Sequence, residues 1–451
     1  HGGMGMFRRL AGLLGDRRGN VAVLTALLLP VSLGTAGIAT EAASWQANHR
    51  AMQNAADSAA IAAASNSSAN YLQESRAVAA QYGFAQGVNG VSVTASNAAV
   101  CPAGGATCYS VTVSRPYPLL LAQLVGFRGD TTVNGAPAQT VTATSVAVMT
   151  TKPRPYCMLA LGAGGTGVSF LANGVPNANL SGCNVMSNTS ATCNGHNLGA
   201  DIGDAHLTNN GCGVVEHSNI PAVTDPYASR AVNIPSDTTC GSRSPKYPQI
   251  PTSKAGAALP ASNLLSGVQD WTGGAPAMCG DVQLTGPVTI NTTAAGATLV
   301  IYNGQLDTHG YSLTTSSGSA LTIVFARGAT YAGPYTHAPT GGGTLDIAAP
   351  TTGPWAGMAI YQDPSLTSGV DITAAGSSPT WNITGMVYLP HAQVTFSGAV
   401  NKSSNGKSCF GIVADGIRIN GTGSIFAHGE CAQAGLTLPA SQVPNRGALV
   451  S

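Results

Sequence analysis

The sequence predicts a mainly β protein hung from an N-terminal transmembrane helix. The helix runs on into a small α+β domain, and a right-handed parallel β-helix-like domain follows, with a β-sandwich as the alternative. Three observations predict this. Asn20 to Thr40, NVAVLTALLLPVSLGTAGIAT, carries no charge and stands directly behind Arg8, Arg9, Arg17 and Arg18. Glu41 to about Ser65 is alanine-rich and keeps a helical period. From Tyr156 onward, short apolar runs recur every ~10–13 residues between Gly, Asn, Asp and Ser, as strands between turns do.

Hydrocarbon cannot hydrogen-bond a backbone, so a segment that stays in it must be helical. Spanning takes about 20 apolar residues, and residues 20–40 are just long enough. Four arginines against Asp16 make residues 1–19 a basic cytoplasmic N-terminus and send the rest across the membrane. His1–Gly5 is read as sequence upstream of a start at Met4 or Met6. The competing reading is a cleaved signal, whose apolar core would be about 7–15 residues before a small-x-small site. The run here is longer, and its helical character does not stop, which favours a retained anchor.

Composition agrees with export. Only 8% of the 451 residues are charged, while glycine alone counts 57. Net charge is +1, and four of the 19 basic residues sit at the membrane flank, so no basic field remains for nucleic acid. Ten cysteines without a C-x-x-C pair suit disulfides in an oxidising periplasm.

Within residues 41–150, Trp45, Met52, Ala56, Ala59 and Ala63 form one narrow helical stripe. It serves either as the protein's own core face or as a close contact with partner helices. Asn66-Ser67-Ser68 interrupts the helix. A second helix is expected from an Asn70 cap with Gln73 reaching back, burying Tyr71, Val78 and Tyr82 and ending at Gly87-Val88-Asn89-Gly90. Val91–Val93, Tyr109–Val113 and Val141–Met149 alternate as strands, and Pro118–Phe127 reads as a short apolar helix. Thr151–Pro155 reads as a linker, residues 156–440 as the β-helix-like domain, and 441–451 as a tail. In the β region the runs are VTI 288–290, LVIY 299–302, LTIVF 321–325, LDI 345–347, MAIY 358–361 and VDI 370–372. MVYL 386–389, VTF 394–396, FGIVA 410–414 and IRI 417–419 complete them. The long connections between them favour stacked coils over tight sandwich hairpins.

The apparent active sites do not hold up. Gly162–Gly167 spells GxGxxG after an apolar strand, but no helix start and no acidic residue about 20 positions on supports a dinucleotide site. Asp363-Pro364-Ser365-Leu366-Thr367 nearly matches a metal-adhesion motif and reads as a turn. Asp201 and Asp204, with His206 beside them, are the best carboxylate pair for glycan chemistry, which needs roughly 5–10 Å between carboxyls. Turn chemistry is the plainer account of them. His196, His206, His217, His309, His337, His391 and His428 show no metal-ligand spacing. No catalytic residue, cofactor or metal is expected.

For the cysteines, sequential pairing is expected among many connectivities: Cys101–Cys108, Cys157–Cys183, Cys193–Cys212, Cys240–Cys279 and Cys409–Cys431. Gaps of roughly 20–26 residues bring one cysteine over another on the next coil, within the about 5.5 Å Cα separation of a bridge.

The stretch RRGNVAVLTALLLPVSLGTAGIATEAASWQANHRAMQNAADSAAIAAA, residues 17–64, resembles the opening of TadE/TadG-like proteins of Flp (tight-adherence) pilus assembly. CMLAL 157–161, GCNVMSNTS 182–190, DPYA 225–228, AGMAIYQD 356–363 and GMVYLP 385–390 look like the later part of TadG-like proteins. The resemblance implies a pilin-like character for residues 41–150. It also implies a non-enzymatic, single-pass component of the bacterial inner membrane, bulk periplasmic, that works in pilus assembly or cell adhesion with other pilus-assembly or minor-pilin proteins. A membrane-anchored β-helix enzyme acting on glycans is the alternative. Two family features are missing: the fifth residue after Gly19 is Leu24 rather than the Glu of a prepilin site, and no von Willebrand-type metal domain is recognisable.

Overall fold

The computed structural model describes residues 17–101, 107–163, 167–174, 177–238, 240, 247–330, 334–374, 380–397, 401–403, 409–421, 424–426 and 431–450. Arg8, Arg9, Asp16, His428 and the centre of the GxGxxG run lie outside them. The chain forms two compact units, one from residues 1–152 and 444–451, the other from 153–443.

The first unit is built on α1, Arg17–Asn66, a 50-residue helix that passes through Pro30. Its part from Leu24 to Asn66 is long and apolar enough to cross a membrane. Leu24, Leu27, Leu28, Leu29, Val31 and Ile38 are exposed on it. The hydroxyls of Ser32, Thr35 and Thr40 donate back to carbonyls three or four residues earlier, so even the polar side chains of this stretch are satisfied within the helix. Beyond Thr40 the helix changes character. Met52, Ala55, Ala56, Ala59, Ala60, Ala63 and Ala64 are fully buried, because small side chains let a sheet approach the helix axis closely.

That sheet is antiparallel in β1, Ser92–Ala99, β2, Cys108–Pro118, β3, Thr131–Val133, and β4, Ala136–Pro155. Val93, Val113 and Ala143 line up across three strands, and Tyr109 stands opposite Ala147. Their two-residue alternation places this set on the helix-facing side. A last strand, Ala440–Leu449, closes the edge beside β4. The sequence reads there as a tail because Pro444 and Gly447 interrupt it; an edge strand tolerates both. Gly447 is needed, since a Cβ there would meet the Ile61 carbonyl and the Ser65 hydroxyl, which accepts the Gly447 N–H at 3.0 Å.

Several expectations are corrected. The second helix, α2, is Tyr71–Gln81 and stops at Gly83 (φ 88°), not at Gly87–Gly90. Asn70 makes no side-chain cap; Ser68 accepts the Asn70 N–H and bonds Glu74 instead of a Gln73 return. The buried face of α2 is Ser75 and Ala79, with the expected Tyr71 and Val78 partly buried against the same core, while Tyr82 is half-exposed and accepts a bond from Ser58 at 2.8 Å. Pro118–Phe127 forms no α-helix, only the 3-10 turn Ala122–Val125, which closes at Gly126 in the left-handed region (φ 89°); Glu41 caps the N–H groups at its start. Thr151–Pro155 continues β4 rather than looping, and the boundary between the units falls within it.

Replacing Ala59 by leucine should destabilise the full chain by about 1–3 kcal/mol through overpacking. Denaturant unfolding of the detergent-solubilised protein measures it; an unchanged midpoint would mean the face is not packed.

Among the described residues, the second unit carries 23 strands in one large sheet, and the pairings described in it are parallel. Nine of the ten apolar runs predicted in this region lie within strands, with MVYL and VTF joined in one strand, Thr380–Ser397; of VDI only Ile372 does, at the start of the strand Ile372–Ala374. The chain order is not a simple climb. Met158–Ala160 stacks on Phe410–Asn420 on one side and on Asn184–Ser187 on the other. Strands 158–217 therefore extend away from the C-terminal strands, and the chain restarts at the opposite end with Leu264–Asp270.

Each central strand is buried on both faces. Ile323, Ile360, Val387, Ile412, Met158 and Val185 form one continuous column across successive strands in the aliphatic core. The adjacent positions form a second column: Val324, Tyr361, Tyr388, Val413, Leu159, Met186, Asp204 and His217. This second face packs a separate core with Ile220, Val223, Tyr227, Leu436 and Val443, from segments outside the central ladder. Continuous rather than alternating hydrophobicity in these runs follows from burial on both sides.

Candidate functional site

Asp204 is the one charged residue of the second column. It sits inside the strand Ile202–Ala205, not at a turn, and is fully buried. Asp201 sits outside that strand, exposed, and its carboxylate accepts the Gly182 N–H. His206 bonds the Ile220 carbonyl at 2.9 Å. The expected Asp201/Asp204/His206 group is therefore taken apart: an odd spacing of three along an extended segment turns the two carboxylates to opposite sides.

Asp204 gathers different partners. One Arg154 nitrogen donates to both carboxylate oxygens at 2.8 Å, and the Tyr156 hydroxyl donates at 2.5 Å. His217, its ladder neighbour, places Nδ1 2.9 Å from the other oxygen. Burial, then Asp204 itself, pushes the Tyr156 phenol well above its usual range, so it stays a donor and is no base at neutral pH. The arrangement neutralises a buried carboxylate and holds Arg154 and Tyr156 to the strand ladder of the unit they belong to. Arg154, Tyr156 and His217 are invisible to a sequence reading, because they lie 50, 48 and 13 residues from Asp204.

A tyrosine cluster occupies the same column. Tyr361 and Tyr388 stack with ring centroids 4.8 Å apart, Tyr227 meets Tyr388 edge-on at 5.7 Å, and Trp355 lies 4.9 Å from Tyr361. Tyr388 donates to Asp225 at 2.8 Å and Tyr361 to the Tyr227 carbonyl at 3.0 Å. Burial, with Asp225 alongside, pushes the Tyr388 phenol up. The fragments DPYA, AGMAIYQD and GMVYLP thus meet in one packed cluster, a structural use of those residues.

Two concave surfaces open on the second unit. One, of about 610 Å³, is lined by residues of 221–230 and 435–442, and Arg230 is its charged member. That guanidinium donates to the Ala356 carbonyl at 2.8 Å and lies 5.5 Å from the Tyr227 ring. The other, of about 400 Å³, is lined by alanines, serines, threonines, Gly318, Cys409 and Gln433, without a charge. Neither presents the acid and base that glycoside or lyase chemistry requires. Among the described residues, no three His, Cys, Asp or Glu side chains converge to hold a metal. Gly167 is followed by the strand Val168–Asn173, not a helix. Asp363 bonds the Ser365 N–H as a turn residue.

The ten cysteines are brought together as Cys101–Cys108, Cys157–Cys183, Cys193–Cys212, Cys240–Cys279 and Cys409–Cys431. Cys157, Cys183, Cys193 and Cys212 lie in the aliphatic core, whereas Cys240–Cys279 ties the excursion after His217 back to the ladder. In the stripe, Met52, Ala56, Ala59 and Ala63 are fully buried and Trp45 is half-buried. The unit's own sheet fills this face, so Ala56 and Ala59 are not left as a surface for a partner helix.

Comparison with curated proteins returned no match, and comparison with solved structures returned none. One protein family does match: residues 19–66, nearly the whole of α1, fit the model of the putative Flp pilus-assembly TadE/G-like family.

Proposed function

We propose that this chain is a non-enzymatic, membrane-anchored component of Flp/Tad pilus assembly or of surface adhesion, acting through protein–protein contacts. The family match over α1 is the observation that carries the reading. In it, residues 20–40 are the transmembrane segment, residues 1–19 are cytoplasmic, and the rest lies in the periplasm, where the five disulfides form. Residues 41–150 act as the pilin-like base. The parallel ladders of residues 156–440 wind as a β-helix that offers a neutral, hydroxyl-rich surface to other pilus-assembly or minor-pilin proteins. Support comes from the uncharged concave lining and from the structural engagement of Asp204 and Arg230. A reporter fused after Ser451 tests the topology: one that works only outside the cytoplasm should be active, and the fusion should resist alkaline extraction from membranes. Cytoplasmic activity, or a soluble fusion, would overturn the anchor.

A further inference from the structure

Beside the end of the proposed span lies an apolar loop that its own unit does not cover. Between β2 and β3 the 3-10 turn Ala122–Val125 packs back on α1, and Leu119 and Ala122 are 2% and 1% exposed. Leu120 and Leu121 are left 71% and 43% exposed, and Phe127 43%. A loop that merely closed against its helix would turn these side chains inward. The helix makes room for the turn at Gly37, where a Cβ would lie 2.8 Å from that of Leu121.

Two side chains take up backbone groups at the start of this turn. The Glu41 carboxylate accepts the N–H groups of Leu120 at 2.6 Å, Ala122 at 3.1 Å and Leu121. The Gln123 amide donates to the carbonyls of Leu119 and Leu120, each at 3.2 Å. Irregular backbone beside hydrocarbon must be covered by protein groups, and here Glu41 and Gln123 cover it while the loop's apolar side chains face outward. Depth agrees as well. At 1.5 Å per residue, Asn20 to Thr40 covers about 30 Å, and Gly37 lies about 4.5 Å inside its outer end. Just outside, Trp45 is half-buried with its ring 5.9 Å from Phe127, and Arg128 follows exposed. Aromatic rings and then a cation are what the headgroup layer favours.

The geometry points to a lipid-contact loop: Leu120, Leu121 and Phe127 insert among the phospholipid acyl chains of the leaflet where the span ends, with Trp45 and Arg128 at headgroup level. This rests on the anchor reading, and adds a second membrane element that fixes how the first unit stands on the bilayer.

The test is the full chain in phosphatidylcholine–phosphatidylglycerol vesicles, some lipids brominated near the headgroup end of the acyl chain. In the Leu120→Trp variant the added indole emission should fall by about half, the loss suited to a side chain buried about 5–10 Å into the interface. Tyr82→Trp is the control. Its partner Ser58 lies 17 residues past Glu41, about 25 Å up the helix, and its emission should not change. Vesicle retention through alkaline washing reads the anchor separately. Retention without quenching at position 120 overturns the loop and leaves the anchor standing; shielding from aqueous iodide in that case identifies protein as the cover instead. Release on washing overturns both.

Discussion

Replacing Arg154 with alanine is expected to destabilise the second unit by about 3–5 kcal/mol, the range for removing one partner of a buried ion pair. The cause is the charge left behind rather than the bonds lost. Asp204 is fully buried, and without the guanidinium its carboxylate keeps only Tyr156 and the partly exposed His217. On one side its ladder neighbours are Met186 and then Leu159, apolar side chains that offer no hydrogen bond in exchange. Replacing Asp201 should by contrast stay within about 0.5 kcal/mol, because that carboxylate is exposed and caps one exposed N–H. Arg154→Met with Asp204→Leu should recover much of the loss, as apolar replacement of whole buried pairs does. Denaturant unfolding followed by near-UV circular dichroism reads all three, and a loss under about 1 kcal/mol for Arg154→Ala would contradict the account. It follows that loss of function in an Asp204 variant would report unfolding, not a missing catalyst, unless folding is checked alongside.

What the sequence made legible was set by the range of the interactions. Strands such as LVIY 299–302 and LTIVF 321–325 announce themselves because burial on both faces demands an unbroken apolar run. The α1 stripe is equally plain, since a repeat of small residues is local information. The short strands between Asn177 and His217 carry little side-chain mass, with NAN, SATCN and NN among them, and resemble turns until their ladder partners are known. The last strand looks like a tail for the same reason: its pairing partner, β4, is about 300 residues away. At the site, a helical or strand period can show which residues share a face, but not that Arg154, Tyr156 and His217 converge on Asp204. That convergence is fixed by strand stacking, where Asp204 faces Met186 and His217 on neighbouring rungs. Pro118–Phe127 is cut to a single 3-10 turn by the left-handed Gly126, and the residue that caps it, Glu41, lies far off in sequence.

The second large effect concerns the anchor. Residues 19–66 carry the family match, and α1 runs without interruption from the apolar stretch into the alanine-rich face. The first unit should therefore fold without residues 20–40, since its core starts at Met52. Function should not survive their loss. A chain tethered to a bilayer meets other membrane-bound components at a high effective concentration, which a released chain lacks.

The most direct measurement exchanges residues 1–40 for a cleavable secretory signal in pilus-producing cells and counts pili by electron microscopy. The exported Glu41–Ser451 should be soluble and disulfide-bonded, and pili should be absent or greatly reduced while the intact chain restores them. Normal piliation by the soluble form would contradict the claim that this protein acts as a membrane-anchored component of pilus assembly.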